Sequence, residues 1–122
     1  MNIASALIKQ VIALQDFDTW SSVRRDYLPT EYHSLFSIID KHTTTYHSLP
    51  TFEELKFSIR DSKSLEKLYA IETVQVEADA SMLLEYLKNE YTQKEILYSL
   101  EKYIESSDTN SSANNSTGYN DS

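Results

Sequence analysis

The stretch that decides the fold is Tyr27 to Ile59, YLPTEYHSLFSIIDKHTTTYHSLPTFEELKFSI, which holds both prolines and all three histidines of the chain. It reads as helix, polar turn, helix. Tyr32, Leu35, Phe36 and Ile39 recur at the spacing of one helical face, and Ile38 widens the stripe, so this helix is expected to be central to the core. Pro29 fixes φ ahead of Thr30, whose hydroxyl is placed to accept an amide of the first turn, so the helix is expected to start near Glu31. The second helix has a clearer start. Thr51 and Glu54 form a T-x-x-E capping box, in which each side chain accepts the other residue's amide, with Pro50 directly before it. Phe52, Leu55 and Ile59 then supply its buried face.

The absence of cysteine excludes disulfides, thiolate metal sites and a cysteine nucleophile. The only glycine is Gly118. A glycine-free globular region has few ways to reach positive φ, which disfavours tight hairpins and phosphate-cradling loops. The fold class expected is therefore all-α: a compact multi-helix bundle over residues 1–105, with a long C-terminal helix and a disordered polar tail over 106–122. No early basic region with a cleavage pattern and no apolar run near the ~20 residues of a membrane span occurs. A cytoplasmic protein with no membrane association is the expectation.

The flanking segments carry the same periodicity. Ile3, Leu7, Val11 and Leu14 form one stripe, which Ala4, Ile8 and Ile12 broaden, so the first helix is expected to be covered on two sides. Asp16 and Asp18 precede Trp20 and Val23, predicting a short helix with an acidic start, and Phe17 and Trp20 are read as core. After a polar connection at residues 60–64, Leu65, Leu68, Tyr69 and Ile71 predict another helix. Thr73 to Glu77 alternates like a strand, but with no partner strand in the chain it is read as a loop. Asp79 is placed to cap a last helix from about Ala80 to Glu105.

That last helix changes sides. At ~100° per residue, Leu83, Leu84, Leu87 and Tyr91 share one face, whereas Ile96, Leu97, Leu100, Tyr103 and Ile104 lie roughly opposite. Either the two halves face different neighbours, or the second group has no partner. The first reading makes Ile96, Leu97, Leu100, Tyr103 and Ile104 a self-association surface. From Ser106 the composition turns to Ser, Asn, Thr and Asp, which cannot repay chain ordering.

No catalytic constellation emerges. Without a G-x-x-x-x-G-K-[ST] loop, nucleotide hydrolysis has no phosphate cradle. His33, His42 and His47 are not spaced i, i+4 on one helix and no cysteine joins them, so neither metal nor cofactor is expected. Adjacent Glu53 and Glu54 diverge by ~100° and do not converge on a substrate. The formal charge of −8, from 19 acidic against 11 basic residues, disfavours direct nucleic-acid binding, which needs Lys and Arg to displace counterions. The nine tyrosines lack the basic track that base stacking requires.

Asp26, Leu28, His33, Leu35, Phe36, Pro50, Thr51 and Leu55, in this layout, resemble the amino-terminal collar domain of DnaB-type replicative DNA helicases. Tyr46 to Pro50, YHSLP, looks like the T-even phage version. The resemblance covers about residues 3 to 105 in element order. It implies a non-catalytic domain that pairs with its counterparts and docks a primase or helicase loader in DNA replication. It also implies that a second hairpin arm and a motor domain follow, and residues 106–122 contain neither. A free-standing acidic adaptor or inhibitor that binds a partner protein is the alternative.

Overall fold

The computed structural model describes the main chain of residues 2–112 and the side chains of residues 2–106. The described residues form six α-helices: α1 (Ile3–Leu14), α2 (Phe17–Trp20), α3 (His33–Tyr46), α4 (Phe52–Ser58), α5 (Ser62–Glu72) and α6 (Ala80–Ser112). Two 3-10 turns, Arg25–Tyr27 and Thr30–Tyr32, lead into α3. There is no strand among the described residues. The chain divides into two compact units, Met1–Asn89 and Glu90–Ser122.

In the first unit, α1 is the hub. Ala4, Ala6, Leu7, Ile8, Val11 and Ile12 are all buried, an arc too wide for one neighbour, and α1 packs on both α2 and α5. Its last apolar residue departs from the expected stripe. Leu14 is 67% exposed, because Gln15 turns left-handed directly after it (φ 54°) and the chain leaves the helix. Amides of Gln15 and Asp16 bond back to the carbonyls of Ile12 and Val11, a Schellman closure made without glycine. Gln15 Nε2 also donates to the Pro50 carbonyl at 3.1 Å, fixing the end of α1 to the start of α4.

Asp16 caps α2 by accepting the Thr19 amide, as the acidic start predicts. Trp20 is buried and meets the half-buried Phe36 with ring centroids 5.0 Å apart. Phe17 is 43% exposed and does not join the core. It is the first residue of a four-residue helix, and only one side of so short a helix is covered.

The aromatic helix starts later than the spacing of Pro29 and Thr30 suggests. Thr30 makes no side-chain cap and opens a 3-10 turn, so α3 begins at His33. Tyr32, Leu35 and Ile39 are fully buried all the same, since 3-10 and α turns keep Tyr32 on the same side. Tyr32 Oη and Ser5 Oγ bond at 2.6 Å inside the core, satisfying both hydroxyls. The capping box of α4 is complete, with the Glu54 amide donating to Thr51 Oγ1 at 3.1 Å and the Thr51 amide to Glu54 Oε1 at 2.9 Å. Leu55 and Ile59 are buried behind it, and Leu68 and Ile71 of α5 complete the same core.

Residues 73–77 are irregular, with Val74 and Val76 half-buried and the polar residues between them exposed. A loop can therefore show period-two burial without any strand pairing. At the start of α6 the Asp79 main-chain carbonyl accepts from the Met82 and Leu83 amides, and Leu83, Leu84 and Leu87 close the core of the first unit. The helical main chain continues to Ser112 rather than stopping at Glu105. The remainder of the expected disordered tail, residues 113–122, lies outside the described residues.

Candidate interaction surface

The second unit is described through the α6 residues from Glu90 onward. Ile96, Leu97, Leu100, Tyr103 and Ile104 are each between 53% and 71% exposed. Leu83, Leu84 and Leu87, on the earlier face of the same helix, are only 5–6% exposed. Burial thus marks the face of the first half, whereas every residue from Thr92 to Ser106 is exposed and Tyr91 at the junction is half-buried. Together the five exposed side chains cover an arc of roughly 120° on one side of the helix. Tyr98 falls on the opposite side, with Lys102 Nζ 5.5 Å from its ring centre, and does not belong to the arc.

Flanking the arc are two residues that the apolar stripe alone does not single out, the exposed Lys94 and Glu101. They sit seven residues apart on the same edge. The signal for them is the heptad spacing of Leu97, Leu100 and Ile104, which assigns both to the position bordering an apolar seam.

The structural residues Tyr32, Leu35, Ile39, Thr51 and Glu54 lie in the first unit, in the core and capping roles above, and Phe36 packs at the core's edge. The histidines occupy separate local settings. His33 Nε2 lies 2.9 Å from the Leu28 carbonyl, His42 Nδ1 lies 3.2 Å from the Ser48 carbonyl, and His47 is the left-handed residue ending α3 (φ 59°). Among the described residues no group of three His, Cys, Asp or Glu is placed to hold a metal ion. Nor is any helix among them long and apolar enough to cross a membrane.

The first unit also carries a groove of about 720 Å³ between the starts of α3 and α5, lined in part by Glu31, Ser34, Asp61, Ser64 and Lys67. Three of its charged groups, Glu31, Asp61 and Lys67, have structural partners. Lys67 Nζ bonds Glu31 at 2.7 Å, and that bond raises the Lys67 pKa. Asp61 accepts the Ser64 amide at 2.9 Å as the cap of α5, and its pKa is lowered by the bonds from Ser64. On the neighbouring surface, Lys56 is raised by its hydrogen bond with Glu72. Each of these shifts favours the charged form of a group that takes part in an ion pair or a helix cap.

No family model, curated protein or solved structure matches this chain.

Proposed function

We propose that this chain is a non-catalytic protein-interaction domain that self-associates through Ile96, Leu97, Leu100, Tyr103 and Ile104. In the manner of the collar domain of a DnaB-type helicase, it docks a primase or a helicase loader. The observation that carries the reading is the contiguous apolar arc, with every member more than half exposed. Scattered exposed leucines are ordinary on a protein surface, but a continuous apolar face on one helix marks a surface that another protein covers. The order of elements supports the collar: a long first helix, a short one, the aromatic helix, a polar turn and the capping-box helix follow one another as the resemblance implies. A formal charge of −8 supports protein partners over a phosphate backbone.

The test is a binding titration of the full chain against the primase and the helicase loader of the same source, at concentrations up to about 100 µM, where a transient complex registers. Saturable binding to either supports the collar. Failure with both contradicts the docking role and favours the acidic adaptor, for which −8 suits a basic partner surface.

A further inference from the structure

The partner that fits the apolar arc can be read from its edges. Leu97, Leu100 and Ile104 recur at alternating three- and four-residue steps and form a seam, with Gln93 one turn before. Ile96 and Tyr103 border the seam on one side, and the exposed Lys94 and Glu101 border it on the other. Each border pair is seven residues apart, so both borders run parallel to the seam.

Two such helices packed in parallel would set the charged border of each against the apolar border of the other. Lys94 and Glu101 would then face Ile96 and Tyr103, burying apolar side chains beside charges that gain no partner. Packed antiparallel about a twofold axis between Leu97 and Leu100, like borders meet. Ile96 lies against Tyr103 of the other copy, and Lys94 lies against Glu101 of the other copy, an attraction that the axis repeats. Leu97 packs on Leu100 across the axis. Gln93 meets Ile104 at each end of the contact, where its amide reaches water.

We propose that this surface binds a second copy of the chain in antiparallel orientation, with Lys94 of each copy paired to Glu101 of the other. The charge complementarity of the border selects both the occupant and its direction. Residues 106–122 are a poor alternative cover, since Ala113 and Tyr119 are their only apolar side chains. With two leucine layers at its centre, the contact is short, and the association is weak and concentration-dependent.

This inference rests on the self-association reading above, and charge reversal separates the two. Sedimentation equilibrium of the full chain is compared for the wild type, Lys94→Glu, Glu101→Lys and the double reversal. Each single reversal turns two attractions into two repulsions, and is expected to weaken association on the order of tenfold. The double reversal restores the pairing with signs exchanged and is expected to return association to within about threefold of the wild type. Both positions are exposed, so helical content is expected to stay unchanged in all four proteins. Association of the wild type with no response to the single reversals overturns the antiparallel pairing and leaves self-association standing. A wild type that stays monomeric at about 1 mM overturns both.

Discussion

Tyr32 shows how one residue links the pieces of the first unit: its ring is buried, its hydroxyl bonds Ser5 of α1, and Lys67 of α5 lies 4.6 Å over its face. Tyr32→Phe leaves the Ser5 hydroxyl buried without that partner, and a loss of about 1–2 kcal/mol is expected in urea unfolding. Adding Ser5→Ala should recover part of the loss, because the orphaned group is then gone. His47 is the opposite case, an exposed side chain on a left-handed backbone whose amide closes α3 onto the Thr43 carbonyl. His47→Gly relieves the Cβ clash and is expected to stabilise by up to about 1 kcal/mol, offset in part by the freer unfolded chain. Asp61 links stability to pH. Its folded pKa is lowered, so its contribution is present above the ordinary carboxylate value of 3.8 and is lost as pH falls through the lower folded value. Asp61→Ala should therefore cost more at pH 7 than below about pH 3, as measured by unfolding at both. Lys67 runs the other way. With its pKa raised, its bond to Glu31 contributes fully below the ordinary value of 10.5 and is lost as pH rises past the folded value.

The reciprocal side-chain cap of α4 was legible from sequence, whereas the single cap of α5 by Asp61 lay inside a stretch read as a polar connection and the ends written in backbone gave no signal. Thr51 and Glu54 define the start of α4 because the capping box is a reciprocal side-chain contact between residues three apart. Thr51→Ala, which removes one half of it, is expected to cost about 1 kcal/mol. The start of α3 escaped the same logic, since Thr30 enters a 3-10 turn whose hydrogen bonds are all main-chain. The ends of α1 and α3 depend on Gln15 and His47 accepting positive φ, a choice that residue type disfavours and that tertiary contacts such as Gln15 to Pro50 support. Burial follows a similar division. The stripe of α1 is correct up to Ile12, and it fails at Leu14, where the chain turns away before the stripe does. In α6 the reversal of the apolar face was readable because it needs only 3.6-residue periodicity. The border residues Lys94 and Glu101 needed the seam to be defined first.

For the molecule as a whole, the question is why a chain that builds a core from Leu83, Leu84 and Leu87 also carries an exposed apolar arc of five residues further along the same helix. Apolar area left in water is a cost of about 25 cal/mol per Å², which the proposed pairing with a second copy would offset. Twofold pairing needs only one self-complementary patch, the role proposed for the arc and its borders. Replacing Leu100 and Ile104 by Glu places carboxylates in that contact and should disfavour association by at least about 2 kcal/mol. The core of the first unit contains neither residue, so the fold should persist. Sedimentation equilibrium of the wild type and of Leu100→Glu/Ile104→Glu, with circular dichroism on the same samples, measures association and folding together. The proposed pairing predicts a wild type heavier than a monomer at high concentration and a double variant that stays monomeric with unchanged helical content. A monomeric wild type, or a double variant that unfolds, would contradict it.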